Sequence, residues 1–287
     1  MSEAIVYLNG EFLPLSEAKV PVLDRGFIFG DGVYEVIPAY NRQLFRIDEH
    51  LQRLQNSLTA VRIPNPYSGQ EWKQVFNKLL EKNPAEDSSI YLQVTRGVAK
   101  RDHAFPANVT PTVFAMASPL LTTDEKAFNQ GVAAITLDDT RWQNCNIKAI
   151  TLLPNILLRQ TAIDEGAAEA ILIRDGEVTE GAASNVFIVS AGVIKTPPKG
   201  ARLLPGITRD LIVELARMQQ LPIQEVNFSK AELLAAEEIW ISSSTKEIMP
   251  VVKLNEKPVA NGQPGPLTRK LFGIFQEYKQ LLKANAG

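Results

Sequence analysis

Lys148 stands in Asn144-Cys145-Asn146-Ile147-Lys148-Ala149-Ile150-Thr151, an apolar, strand-like run that ends at Pro154 and a helix start. An ammonium buried among Ile147, Ala149 and Ile150 is disfavoured relative to the free amine. Its pKa falls, and the lysine becomes a nucleophile or base of the kind that forms Schiff bases with carbonyl compounds. A lysine alternating outward on a half-exposed strand would do none of this, and buried lysines are rare, so the chemistry needs partners elsewhere. Two later segments carry them. Val178-Thr179-Glu180-Gly181-Ala182-Ala183-Ser184-Asn185 places a carboxylate in a turn between short strands. Leu204-Pro205-Gly206-Ile207-Thr208-Arg209 opens a helix, whose unpaired N–H groups and dipole make an anion site able to cradle a phosphate.

In this order and spacing the three segments resemble the fold-type IV family of pyridoxal 5'-phosphate (PLP) enzymes, and the resemblance spans nearly the whole chain. That family includes D-amino acid aminotransferases, branched-chain aminotransferases and aminodeoxychorismate lyases. The resemblance implies a two-domain α+β fold and PLP as cofactor. Lys148 would form the Schiff base and then shuttle a proton, with Glu180 against the pyridine nitrogen. Arg53, Ile207, Thr208 and Ser244 would hold the phosphate, with Ser243 nearby, and Tyr34 matches an active-site tyrosine. A guanidinium fork suits a phosphate dianion in geometry and charge. The family often has serines where this chain has Ala182-Ala183, which leaves fewer hydroxyls near the cofactor ring.

The loop between residues 96 and 106 contains Arg101-Asp102-His103. It resembles the Arg-x-His substrate-carboxylate trap of D-amino acid aminotransferases, so the implied reaction is transamination between D-amino acids (D-alanine, D-glutamate) and 2-oxo acids (2-oxoglutarate, pyruvate). A branched-chain L-aminotransferase or an aminodeoxychorismate lyase would keep Lys148, Glu180 and Arg53 without needing Arg101 and His103. A phosphate-binding protein on the same fold without turnover would have no need of lysine, glutamate and arginine together. Family members are homodimers with the active site at the subunit interface, and the Arg101/His103 loop would be expected to reach the neighbour's site.

The elements that position these residues can be read locally. Ile5 to Leu8, Asn9-Gly10 and Glu11 to Leu15 form a hairpin. The glycine-rich stretch 24–32 feeds a strand from Val33 to Ala39, which carries Tyr34. Asp48 is a candidate N-cap for a helix over His50 to Leu58 that carries Arg53, and a second amphipathic helix covers Gln70 to Glu81. Strands follow over Ser89 to Thr95 and Pro111 to Ser118. Ser118 to Lys126 reads as a linker. Beyond it come a strand from Val132 to Leu137, the Lys148 run, a helix from Pro154 to Gly166, four short strands, and the helix opened by Ile207-Thr208. A capping box at Ser229/Glu232, a strand over Glu238 to Ser242 and a helix from Leu267 to Leu282 complete the chain. The expected domains are a smaller α/β unit over 1–120 and a larger sheet-rich unit over 121–287 carrying the cofactor lysine.

A chain of 287 residues with 45% hydrophobic side chains exceeds one ordinary core. A net charge of −2 provides no basic field for nucleic acid. One cysteine, Cys145, excludes an intrachain disulfide and fits a reducing compartment, and two histidines are too few for zinc-type clusters. With neither a leader-like N-terminus nor an apolar run of membrane-spanning length, a cytoplasmic protein without membrane partners is expected.

Overall fold

The computed structural model describes residues 3–120 and 123–284. The chain divides into two compact units: Met1–Leu121 with Ile147–Leu152 and Leu282–Gly287, and Thr122–Asn146 with Leu153–Leu281. Of the linker read over 118–126, residues 121 and 122 lie outside the described residues; on either side the chain is already in a strand up to Pro119 and in a helix from Glu125.

The first unit is built on β1 (Ile5–Leu8) and β2 (Glu11–Pro14), a hairpin whose turn residues Asn9 and Gly10 take φ of 48° and 103°. These are the left-handed values that a two-residue turn needs to match strand twist. Next comes α1 (Arg25–Phe29), a short helix inside the glycine-rich stretch 24–32. Asp24 Oδ1 accepts from the Gly26 N–H at its start, and Gly30 ends it in the left-handed region. There follow β3 (Gly32–Tyr40), β4 (Gln43–Leu44), α2 (Ile47–Ala60), α3 (Gly69–Lys82), β5 (Ser88–Thr95) and β6 (Thr112–Pro119). The sheet is antiparallel in the order β2-β1-β6-β5-β3-β4.

α2 begins earlier than expected. Arg46 is its N-cap, left-handed and bonded through Nε to Glu49, while Asp48 lies inside the first turn, where its charge still favours the helix dipole. The apolar stripes of the two helices, Leu54 and Leu58 with Trp72, Phe76, Leu79 and Leu80, pack with Val33, Ile37, Ile90 and Leu92 of the sheet. Each such fully buried side chain contributes roughly 1.5–3 kcal/mol relative to exposure.

Residues 147–152 differ most from expectation. Assigned by the sequence to a strand of the C-terminal domain, they group with the first unit and are irregular apart from one bridge, Val33 to Ala149. β4 pairs only with the far end of β3, so the edge at Gly32–Tyr34 is open. The segment docks there: Tyr34 N donates to Lys148 O at 2.9 Å and Ile150 N to Gly32 O at 3.1 Å. The apolar run satisfies backbone groups of an existing edge instead of building a ladder of its own.

The second unit contains α4 (Glu125–Gln130), β7 (Val132–Asp138), α5 (Leu153–Asp164), β8 (Glu169–Arg174), β9 (Glu177–Gly181), β10 (Asn185–Ser190), β11 (Val193–Thr196), α6 (Ile207–Met218), β12 (Ile223–Glu225), α7 (Lys230–Leu234), β13 (Glu238–Ser243), β14 (Glu247–Leu254) and β15 (Lys257–Pro258); α8 (Pro266–Ala284) ends the described chain. Its sheet runs β12-β11-β10-β13-β14-β7-β8-β9, with β15 on β14. β7 lies parallel to both β14 and β8. Runs such as Val186 to Val189 and Ala170 to Leu172 are buried throughout, so period-two alternation disappears where both faces of a strand are covered.

Candidate active site

In the first unit, alternation along β3 separates two roles. Val33, Glu35 and Ile37 lie on one face, and two of the three belong to the core. Glu35 is a carboxylate at a core position with 0% exposure, and such a charge must be paired. Arg53 supplies the pair: Nε donates to Oε1 and NH2 to Oε2, each at 2.8 Å, while His50 Nδ1 lies 2.8 Å from Oε2. Burial pushes the Glu35 carboxyl up, but the Arg53 charge and the hydrogen bonds from Arg53 and His50 hold it well below the ordinary carboxylate range. His50 is pushed down by burial and by the charges of Arg53 and Lys148, against the pull of Glu35.

The other face of β3 carries Tyr34. Its ring lies 5.9 Å from that of Tyr91, and Lys148 Nζ sits 4.1 Å from its centroid. Lys148 is half-buried rather than buried; its backbone N–H donates to Ser57 Oγ at 3.2 Å. The unit therefore brings Lys148 and Tyr34 together and fixes Arg53 behind the strand. Arg101 and His103 lie on the exposed, irregular loop after β5, both beside Phe29: the Arg101 guanidinium is 5.5 Å from its centroid and the His103 ring 5.6 Å.

In the second unit, Glu180 on β9 is buried and fully engaged. Arg141 NH1 donates to Oε1; Leu204 N and Asn185 Nδ2 donate to Oε2 at 3.0 and 3.2 Å. Arg141 is itself gripped by Asp139 through Nε and NH2, each at 2.9 Å. Burial pushes the Glu180 carboxyl up to about 7, against the pull of Arg141 and the Leu204 N–H. A carboxyl in this state gains ionisation when a cationic partner arrives.

Asn185 also donates to Leu204 O at 2.9 Å, which ties the turn after β9 to the start of α6. Gly206 is the N-cap of α6; no side chain caps that end, and Ile207 and Thr208 are buried in the first turn. A Cβ at Gly206 would collide with Asn185 Oδ1, so the glycine is demanded by close approach and not by its φ. Ser243 is the last residue of β13 and Ser244 the first of the turn after it, with Ser243 Oγ accepting from Lys246 N at 3.1 Å. One residue before them, Ser242 pairs in register with Asn185, and its buried hydroxyl has no hydrogen-bond partner among the described residues.

Glu35, His50, Arg141 and Asp139 escaped the sequence reading. Glu35 had a signal, a charge in register with Val33 and Ile37. Arg141 had none, because its partner Glu180 is 39 residues away.

The class IV amino-transferase family model matches residues 32–254, most of the chain. The chain belongs to the class IV aminotransferases. This class IV aminotransferase is 44% identical over 271 residues to the D-alanine aminotransferase of Bacillus licheniformis, covering 94% of this chain and 95% of the relative. It is 40% identical over 280 residues to that of Staphylococcus aureus strain COL, covering 95% and 97%. Among solved structures, the branched-chain amino acid aminotransferase of Escherichia coli superposes with a TM-score of 0.89 at 29% identity over 96% of this chain and 94% of that one. A second branched-chain amino acid aminotransferase, from T.th. and solved with pyridoxamine 5'-phosphate, also gives 0.89, at 26% identity over 97% and 95%. The fold is therefore that of fold-type IV aminotransferases, α+β throughout.

The donors of the class IV aminotransferase fit PLP. The chain offers a lysine amine beside a tyrosine ring, a buried carboxyl poised near neutrality, and a helix start whose cap has no room for a Cβ. Among the described residues no cluster of metal-binding side chains occurs, and no helix is long and apolar enough to cross a membrane.

Proposed function

We propose that this aminotransferase exchanges amino groups between D-amino acids, D-alanine and D-glutamate among them, and 2-oxo acids such as pyruvate and 2-oxoglutarate, with PLP as cofactor. The observation that carries the reading is that identity to the D-alanine enzymes named above exceeds identity to the branched-chain enzymes of the same fold. When bound, PLP supplies the electron sink that makes the substrate Cα–H acidic.

The chain's residues then divide the work. Lys148 would hold the cofactor, and its Nζ would take and return the substrate Cα proton. Glu180 holds the ring nitrogen, and Arg141, gripped by Asp139, fixes the carboxylate for that task. Arg53, Ile207, Thr208 and Ser244, with Ser243 nearby, hold the phosphate; Glu35 presents Arg53. Tyr34, Arg101 and His103 receive the substrate carboxylate. With the Cα hydrogen directed at Lys148, two positions remain for the carboxylate and the side chain. Whichever holds the cations takes the carboxylate, and so sets the enantiomer accepted.

We also propose a cytoplasmic homodimer of two-domain subunits, with the domain boundary near residue 120. Leu153, Ile156 and Leu157 on α5 are 65%, 59% and 60% exposed, an apolar surface that fits a partner subunit; sedimentation of the purified protein tests it.

A panel of D- and L-amino acids with 2-oxoglutarate tests the reaction. D-alanine and D-glutamate are expected to turn over; faster turnover of L-leucine or L-valine would overturn the assignment in favour of the branched-chain reading. Borohydride reduction followed by mass spectrometry is expected to find the cofactor on Lys148 and on no other lysine.

A further inference from the structure

Arg101 and His103 sit in a loop without a β-ladder, and residues 101–105 are all exposed. A carboxylate trap depends on directional, charge-assisted hydrogen bonds, so the backbone beneath it must be held. The loop supplies little itself: within its tip, Ala104 N donates to Asp102 Oδ1. The holding comes from Arg25, the first residue of α1. Its NH1 donates to Asp102 O at 2.6 Å and to Ala104 O at 3.3 Å, the carbonyls on either side of His103. Its Nε is bonded to Asp31 Oδ2 at 2.7 Å.

Asp31 serves two arginines. Besides Arg25 it takes Arg96 in a two-pronged contact, Nε to Oδ2 at 2.8 Å and NH2 to Oδ1 at 2.9 Å. Arg96 in turn donates from NH1 to Arg62 O at 2.9 Å and from NH2 to Val61 O at 2.7 Å, at the C-terminal end of α2, the helix that carries Arg53. The Arg96 guanidinium also covers the Phe105 ring at 3.6 Å. The three side chains are 4%, 13% and 5% exposed for Arg25, Asp31 and Arg96, so these are shielded contacts, unlike solvated surface ion pairs. The backbone repeats the link: Arg25 N donates to Gly97 O and Arg96 N to Asp31 O.

We propose that Arg25 and Asp31 are positioning residues for substrate recognition: Asp31 aligns Arg25, which clamps the carbonyls on both sides of His103 and so presents Arg101 and His103 to the substrate carboxylate. The inference rests on the trap reading above and assigns to this chain the device that makes the trap rigid. It separates substrate binding from cofactor binding, since among the described residues the Arg25 side chain donates its hydrogen bonds to the trap's backbone and to Asp31.

The test compares wild type, Arg101→Ala, Arg25→Met and Arg25→Lys in the holoenzyme. Kinetics with D-alanine are measured beside PLP titration of the apoenzymes by tryptophan fluorescence and trypsin cleavage after Lys100 and Arg101. Arg25→Lys keeps the charge but cannot reach Asp31 and both carbonyls at once. Both Arg25 variants are expected to raise the D-alanine KM by about tenfold or more, the effect of losing one charge-assisted hydrogen bond. PLP affinity is expected within about twofold of wild type, and cleavage in the loop should accelerate in the folded Arg25→Lys protein. If Arg25→Met does not fold, Arg25→Lys carries the test. An unchanged KM in the folded Arg25 variants overturns the inference while leaving the trap reading intact, provided Arg101→Ala raises KM. An unchanged KM in Arg101→Ala overturns both. A parallel loss of PLP affinity assigns Arg25 a general structural role and also overturns it.

Discussion

Glu35 and Arg53 face each other from β3 and α2 as a two-pronged ion pair, Nε to Oε1 and NH2 to Oε2, both at 2.8 Å and both shielded from solvent. The arginine assigned to the phosphate is thus pre-aimed by a carboxylate that His50 also contacts. Breaking a buried pair from one side strands the other charge, at a cost of about 3–5 kcal/mol.

Glu35→Gln is therefore expected to destabilise the apoenzyme by a few kcal/mol and to weaken PLP binding, both read by thermal melts with and without cofactor. The pH dependence has a definite sign. The folded-state pKa of Glu35 lies well below its unfolded value near 4.5, so its stabilisation is present above that value and lost as pH falls below it. The gap in melting temperature between wild type and Glu35→Gln should narrow on acidification. A constant gap from pH 7 to pH 3 would rule out ionised Glu35 as its source.

Glu180 titrates in the opposite sense. Its folded pKa of about 7 lies above the unfolded 4.5, so relative to Glu180→Gln the apoenzyme loses stability as pH rises through that window. The loss is limited to a few kcal/mol, at about 1.4 kcal/mol per pKa unit. Calorimetry of both proteins between pH 4.5 and pH 8 checks this. In the holoenzyme, Glu180→Ala is expected to bind PLP but lose kcat by several powers of ten, each about 1.4 kcal/mol of barrier. An unchanged kcat would assign the ring nitrogen to another residue.

Gly206→Ala tests the phosphate cradle by one methyl group. The φ of Gly206 is −70°, which alanine accepts, so the effect comes from close approach: the added Cβ would collide with Asn185 Oδ1 and crowd Arg209 Cβ. PLP affinity is expected to fall by about tenfold or more, with Asn185 displaced from Glu180 and Leu204, while the apoenzyme loses on the order of 1–3 kcal/mol through overpacking. Equilibrium dialysis of the cofactor measures the first effect and denaturant unfolding the second.

Arg101→Ala is expected to raise the D-alanine KM strongly and leave the cofactor's absorption spectrum unchanged, because Arg101 lies on the exposed loop beside Phe29. Steady-state kinetics beside an absorption scan separates the two effects. A spectrum altered as much as KM would place Arg101 at the cofactor.

The sequence by itself determined the elements with local causes. The Asn9-Gly10 hairpin, the Ser229/Glu232 capping box and the amphipathic stripe of α3 form where expected, because turn geometry, helix-end N–H groups and side-chain periodicity act over a few residues. It also presented Lys148, Glu180, Gly206 and Arg101-x-His103 as motifs in order. Tertiary structure alone decided what surrounds them. The Lys148 run has the composition of a strand, yet it is a docked, irregular segment because the edge of β3 at Gly32–Tyr34 was open to receive it. Glu35 finds Arg53 across 18 residues, Arg141 finds Glu180 across 39, and Asp31 finds Arg96 across 65. No local pattern encodes such pairs. Each exists because packing leaves a charge where water cannot reach it, and the fold must bring the opposite charge to the same place.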